Sequence, residues 1–487
     1  MNDSGLELNE SRIYSSIDEV LRILAAAKGM TFRELDKTGR ANSPANKGAL
    51  GNIIEESVLG YPVNSDAEAD IQIGDERYEL KVMPAKHIRK GKQISAKERL
   101  VIDIINFMKL AAEKDFDASQ FWSKAKNIIL VCYFDDRADK QKELRVDCSV
   151  IEAALLRYTQ EDLATIRADW KTIRDKVANG HADQLSESDT NYLAACTKGA
   201  DSSTLRDAPA PNDADVPTIR AKQRAFSYKA SYMTTLLRKL LRKDSSETLP
   251  MRQNQALEDY IHQKVSEYFG KSTEYLAQHL DVTPSAKQFN FQLALRMLGA
   301  AGSSVGKIDQ FAKANVSSIK TVVMYNTVNM PQEHMSFRQI SADEWAELGD
   351  PSIEWHDSFL YNYFEENRFL FMVFKALGIR RAQSDKLTDV FTDAFLWNMP
   401  EEDIEQYVRP VWEELHRLMV DKQSLHYARG TNRIPGPSFN KVFHIRPKGQ
   451  TNKDTVPLPN GELIPKQAFW LDKHYIADII TRRYTQR

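Results

Sequence analysis

A chain of 487 residues with 42% hydrophobic and 28% charged side chains has material for two or three folded domains, which excludes wholesale disorder. Its 66 Lys and Arg against 68 Asp and Glu leave a net charge of −2, so global charge does not mark it as a polyanion binder. No apolar run approaches the roughly 18 residues of a membrane span. The opening residues have neither the basic head nor the apolar stretch of a signal peptide, which points to the cytoplasm. Cys132, Cys148 and Cys196 are too scattered for a disulfide framework or a metal knuckle, and read as core thiols in a reducing compartment.

Along the chain, NKGALGNIIEESVLGY (46–61) predicts a helix whose glycines allow close backbone approach. ADIQIGDERYELKVM (69–83) predicts two alternating strands. A strongly basic stretch, Lys81 to Arg99, follows, then the apolar strand NIILVCYF from Asn127 and the helix EDLATIRADW ending at Trp170. The Pro-, Asp- and Ser-rich segment 201–216 reads as a loop within a domain. A second basic stretch, Arg220 to Lys243, contains no acid. Each basic run alone could be a solvated face, but together they make the first half the place for a polyanion.

The polar segment 244–254 reads as a linker, and the halves around it look like copies. ELKVM (79–83) is answered by SIKTVVM (318–324), NIILVCYF by NRFLFMVF from Asn367, and the helix ending at Trp170 by one ending at Trp412. CTKG at Cys196 is answered by RPKG at Arg446, and KQRAFSYKASY from Lys222 by KQAFWLDKHY from Lys466. The order is kept at offsets of roughly 240 to 250 residues, which favours duplication of a whole domain. The expected architecture is therefore mixed α/β, with one domain over 1–243, a linker over 244–254 and a second domain over 255–487.

Chemistry concentrates on the first hairpin. A two-residue Gly74-Asp75 turn, glycine first, sets Asp70 directly across from Glu79. Directly opposed residues have Cβ atoms about 5 Å apart, and two carboxylates that close need a positive charge between them. A divalent metal supplies it, and hard oxygen ligands suit Mg²⁺. Lys81 projects from the same face, where an ammonium can orient or deprotonate water or stabilise a charged transition state. Glu55 or Glu56 could reach the same point from the preceding helix. Taken alone, an ordinary exposed hairpin with a cross-strand Asp, Glu and Lys would look the same. The second copy keeps a lysine, Lys320, but has Ser318 where Glu79 stood, as expected for a duplicated site that has lost its metal pair.

These residues resemble the MutH-like branch of the PD-D/ExK nucleases, specifically the Sau-three-A type restriction endonucleases that cut at GATC. NKGALGNIIEESVLGY resembles the branch's opening motif, with a lysine eight residues before the catalytic glutamate, which selects Lys47 and Glu55 over Glu56. Asp70 with ELKVMP resembles its D...ELKxxP core, and ISAKERLVIDIINF (94–107) the stretch after it. Ala69 departs from the usual proline before the aspartate, which affects strand entry rather than ligation. CTKGADSSTLR with IRAKQRAFSYKASYMTTLLRK resembles the DNA-contacting arm; FHIRPKGQTNKD and PKQAFWLDKHYI resemble that arm in a second, non-catalytic domain.

The resemblance implies two tandem MutH-like domains, each a central mixed sheet flanked by helices. It also implies a type II restriction endonuclease making Mg²⁺-dependent cuts in double-stranded DNA. Asp70 and Glu79 would hold the metal, with Glu55 an auxiliary acid and Lys81 positioning water. Lys47, Lys198, Lys222, Arg224 and Lys229 would contact DNA in the first half, and Arg446, Lys448 and Lys466 in the second, where a regulatory second DNA copy could bind. Dimerisation on DNA and a protective DNA methyltransferase in the bacterial host belong to the same expectation. A mismatch-repair nickase would use the same hairpin in about half the length, and a non-catalytic DNA binder would not need the acids.

Overall fold

The computed structural model describes residues 14–42, 48–61, 71–88, 93–137, 145–198, 204–212, 214–242, 246–302, 304–325, 329–376, 383–425, 432–449, 451 and 453–485. Its contacts divide the chain into two compact units. Unit 1 is Met1–Ser246 with Met251–Ala256 and Ala312–Ala314; unit 2 is Glu247–Pro250, Leu257–Phe311 and Asn315–Arg487.

Unit 1 begins with α1 (Ile17–Ala26), α2 (Phe32–Leu35) and α3 (Ala49–Asn52), the last running into a π-helical turn, Ile53–Val58. Strands β1 (Ile71–Ile73), β2 (Glu76–Ile88), β3 (Gln93–Ala96) and β4 (Leu100–Ile104) follow, then α4 (Phe107–Ala112), α5 (Gln120–Ala125), β5 (Ile128–Phe134) and β6 (Val150–Leu155). The unit closes with α6 (Gln160–Ala178), β7 (Leu193–Thr197), β8 (Leu205–Pro209), β9 (Thr218–Lys222), β10 (Arg224–Tyr228) and α7 (Ala230–Leu240).

The main sheet runs β1-β2-β5-β6, with β3 on the far end of β2; β2 and β5 are parallel and the other pairs antiparallel. A second sheet, β4-β10-β7, and the hairpin β8-β9 complete the unit. Segment 201–216 thus differs from the expected loop. Leu205–Pro209 forms a ladder with Thr218–Lys222, because the Pro- and Asp-rich residues between them make the turn rather than the whole connection. The three cysteines are buried free thiols.

Unit 2 repeats this plan. Helices α8 (Leu257–Ser266), α9 (Thr273–His279), α10 (Phe289–Met297) and α11 (Asp309–Lys313) lead to β11 (Val316–Tyr325), β12 (Met330–Pro331) and β13 (Met335–Gln339). Next come α12 (Ala342–Leu348), α13 (Phe359–Glu366), β14 (Arg368–Ala376), β15 (Val390–Trp397), α14 (Glu401–Asp403), a π turn and α15 (Arg409–Val420). The last elements are β16 (Phe443–Pro447), β17 (Thr455–Pro457), β18 (Leu463–Pro465), β19 (Gln467–Leu471) and α16 (Lys473–Thr485). The sheets β12-β11-β14-β15 and β13-β19-β16 and the hairpin β17-β18 answer those of unit 1, with β11 parallel to β14 as β2 is to β5. One element has no counterpart among the described residues: β11 follows a turn at Asn315 (φ +54°) with no strand corresponding to β1. Glu247 and Leu249, within the expected linker, are ordered. The Glu247 carboxylate accepts from the N–H groups of Ala301 (2.6 Å) and Gly302 (2.7 Å), and Leu249 is buried.

The apolar faces of the strands build the cores. Ile71, Ile73, Tyr78, Leu80, Ile129 and Val131 pack with α1 and the π turn in unit 1. Val322, Met324, Phe369, Phe371, Trp345 and Trp412 belong to the core of unit 2, on which α12, α13 and α15 pack.

Candidate active site

The β1-β2 hairpin pairs Ile71 with Tyr78, Gln72 with Arg77 and Ile73 with Glu76. Gly74 sits at φ +59° and Asp75 does not share the positive φ, the pattern of a glycine-first type II′ turn. Asp70 and Lys47 lie outside the described residues. Glu79 is 6% exposed, and the Lys81 ammonium donates to its Oε1 at 2.6 Å. A buried carboxylate is costly unless paired, and Lys81, two residues along on the same strand face, supplies the pairing charge. The Glu79 N–H donates to Asn127 O (2.9 Å), so the backbone groups of the odd-numbered residues here face β5. Pro84 therefore turns its missing N–H toward the other edge, where its carbonyl accepts from Lys97 N (2.9 Å). This is how a proline fits inside the ELKVMP strand.

α3 lies against β2, and Ile53 and Ile54 of the π turn share a core with Tyr78 and Leu80 of that strand. Glu56 is held by Arg40 through both carboxylate oxygens (2.9 and 2.7 Å) and by Thr38 Oγ1 (3.2 Å). Glu55 is half-buried with its Oε1 on the Gly51 side; a methyl on Gly51 would meet it at 3.9 Å, an ordinary contact. The close backbone approach that the helix's glycines allow is therefore not used at Gly51. Among the described residues no three metal-capable side chains gather.

The arm residues separate into two kinds. Lys198 is exposed and Lys222 half-buried, flanking the short link between β9 and β10. Arg224 and Lys229, expected at the DNA surface, turn inward instead. Arg224 is 2% exposed and donates to Thr197 Oγ1 (3.0 Å) and to the carbonyls of Ala195 (3.4 Å) and Leu185. Lys229 is buried with its ammonium on Thr190 O (2.5 Å). Close by, Asp169 of α6 accepts from the N–H groups of Asn191, Tyr192 and Leu193 and ties the start of β7 to the helix. Burial raises its carboxyl to about 6 against the pull of those N–H groups and of Lys229. These inward charges hold the arm's own shape.

In unit 2 Arg446 is exposed over the Trp470 ring (5.3 Å), and Lys466 pairs with Asp454 (2.5 Å). Lys448 is exposed as a residue but folds its ammonium onto Ser336 Oγ (2.9 Å) and Phe337 O (2.7 Å). Lys320 donates to Ser336 O (2.7 Å) and lies 4.2 Å from the centre of the Phe337 ring. Burial, helped by the Lys448 charge, lowers its pKa to about 7. The sequence showed Lys320 as the echo of Lys81; its buried setting was missed, because Ser336 and Phe337 arrive from β13 and carry no signal of their own.

Residues 59–169, which span this hairpin, match the family model of the DNA mismatch repair enzyme MutH. Over 91% of its length the chain is 30% identical to the type II restriction enzyme Sau3AI of Staphylococcus aureus, covering 94% of that protein. The chain belongs to the MutH-like type II restriction endonucleases. A stretch of 46% of the chain is also 26% identical to the DNA mismatch repair protein MutH of Shewanella woodyi, covering 91% of that shorter protein. As a member of the restriction endonuclease family the chain is a site-specific deoxyribonuclease acting on double-stranded DNA. Among the described residues no helix of this endonuclease is long and apolar enough to cross a membrane.

Proposed function

We propose that unit 1 carries out Mg²⁺-dependent hydrolysis of phosphodiesters in both strands of DNA at GATC, leaving 5′-phosphate ends, in the bacterial cytoplasm. The observation that carries this reading is the buried Glu79 carboxylate bound to Lys81 on a hairpin of fixed register. Continued by one pair, that register would set Asp70 across from Glu79. The proposed donor set, carboxylate oxygens of Asp70 and Glu79 with Glu55 as an auxiliary acid and no thiol or imidazole among them, would fit a hard divalent ion. When bound, magnesium would polarise the scissile phosphate and acidify its water. Lys81 is the ion-pair partner of Glu79, and on DNA its ammonium can turn to the attacking water or to the charge growing on phosphorus. Lys198, Lys222 and Lys47 are the unit's candidates for phosphate or base contact. GATC itself rests on the relationship to Sau3AI-type enzymes.

Unit 2 we read as a second DNA-binding module that regulates the first, through Arg446, Lys448 and Lys466. Loss of Glu79's counterpart to Ser318, and the lack of a β1-like strand among the described residues, support a domain that binds without cutting. Two molecules could meet on DNA, and a host methyltransferase would protect the recognition site.

Plasmid incubated with and without Mg²⁺ tests the reading. Linear fragments with GATC ends that need the metal are expected. Nicked circles would favour the mismatch-repair type of activity, and a mobility shift without cleavage a plain binder. Stimulation by added cognate oligonucleotide should vanish in an Arg446→Ala, Lys448→Ala variant; unchanged stimulation would count against the regulatory role.

A further inference from the structure

The face of β11 in unit 2 that answers the catalytic face of β2 gathers cations and hydroxyls in place of acids. Ser318 and Lys320, two residues apart, share that face with the core residues Val322 and Met324, as Glu79 and Lys81 do on β2. The Lys320 ammonium donates to the carbonyl of Ser336 (2.7 Å), and the Lys448 ammonium reaches the hydroxyl of the same serine (2.9 Å) and the next carbonyl, Phe337 O (2.7 Å). Two side chains, one from β11 and one from the residue after β16, therefore bring two ammonium groups to one dipeptide. Among the described residues neither meets a carboxylate, and the Ser318 hydroxyl, where Glu79 stood, is buried with no hydrogen-bond partner.

Each ammonium has three N–H groups, so Lys320 keeps N–H groups beyond the one given to Ser336, and Lys448 keeps one beyond its two carbonyl and hydroxyl contacts. With the Ser318 O–H, the spare hydrogen-bonding capacity here is chiefly that of donors. A cation is repelled from such a point, whereas a group that only accepts satisfies it. Arg446, exposed two residues before Lys448, continues the positive charge outward, as a backbone carrying repeated phosphates requires.

We propose that Lys320, Lys448 and Ser318 form an oxyanion site that holds one backbone phosphate of a second DNA duplex, so that unit 2 has turned the metal-binding face of its twin into an anion-binding one. This rests on the reading of unit 2 as a second DNA-binding module and names the contact by which it binds.

The test uses the full-length chain made cleavage-deficient by Glu79→Gln, with a short duplex carrying GATC titrated by calorimetry at several salt concentrations. Two duplexes per chain are expected. Lys448→Gln should weaken the second binding event about tenfold and lower the slope of log K against log salt by about one. Ser318→Glu, which restores the acid beside Lys320 and repels phosphate, should weaken it further; unchanged circular dichroism would show that the fold is kept. Lys448→Gln changes a residue at the surface, so it reports even if Ser318→Glu disturbs folding.

A stoichiometry of one would overturn the second-DNA reading and this site with it. Two duplexes with unchanged affinity and slope in the variants would overturn this site alone. If inorganic phosphate shifts the resonance of a ¹³C-methylated Lys320 amine and the duplex does not, the site takes a small anion and the backbone assignment fails.

Discussion

Glu79 with Lys81 on β2 and Ser318 with Lys320 on β11 occupy matching points of two parallel strand pairs, but their lysines keep opposite company. In unit 1 the ammonium meets a buried carboxylate at 2.6 Å. In unit 2 it meets a carbonyl, an aromatic ring and a second lysine, and its pKa falls to about 7 because burial is no longer offset by an acid. The contrast shows how much of a site's chemistry rides on one neighbour. Where one face carries a paired carboxylate, the other carries the Ser318 hydroxyl beside two ammonium groups, while the order β2-β5-β6 recurs as β11-β14-β15.

The comparison breaks most visibly at Lys81. Lys81→Met should lower the DNA cleavage rate by about 10²–10⁴-fold while duplex binding, measured by mobility shift, changes little; a fall of less than tenfold would make this lysine only a structural ion-pair partner of Glu79. The next largest effect is on stability. Arg224→Ala leaves the carbonyls of Leu185 and Ala195 and the Thr197 hydroxyl without their donor, and should cost about 2–4 kcal/mol in urea unfolding. Lys198→Ala, at an exposed site, should stay within about 0.5 kcal/mol and weaken DNA binding instead.

Lys320 sharpens the comparison from the other side. Replacing this desolvated amine by methionine should stabilise unit 2 by about 1–3 kcal/mol at neutral pH. The pH dependence has a definite sign. The folded pKa of about 7 lies below the ordinary lysine value of 10.5, so between these values the unfolded chain holds a proton that the folded one releases. Stability contributed by this group therefore rises with pH across that window, by up to about 1.4 kcal/mol per pH unit, and is lost as pH falls toward 7. Thermal unfolding of Lys320→Met against pH should lack that slope. The smallest effect is expected at the turn: Gly74→Ala forces a side chain into positive φ at a cost of about 1 kcal/mol, with a modest loss of cleavage through the hairpin's register.

How far these features were readable in the sequence depended on how local their causes are. The β1-β2 hairpin was readable because alternation and a glycine-first turn lie within a few residues, and the observed pairs Ile71–Tyr78 and Ile73–Glu76 follow the same register. The duplication was readable because strand patterns survive at constant spacing. The inward turn of Arg224 and Lys229 was not, since their partners Leu185 and Thr190 both stand 39 residues away in sequence. Nor was the β8-β9 ladder, whose Pro- and Asp-rich turn masks the strands on either side. Arg40's hold on Glu56 was likewise invisible in sequence, and it commits that acid to a structural pair while Glu55, the neighbour selected by family resemblance, is placed on the Gly51 side.

The most direct test of the central claim, that Glu79 and its hairpin cut DNA, is supercoiled plasmid carrying GATC sites incubated in Mg²⁺ with the Glu79→Gln protein. The variant should bind duplex as the unaltered chain does and yield no linear product. Linear fragments appearing at the unaltered rate would contradict the account and move the chemistry to another part of the molecule.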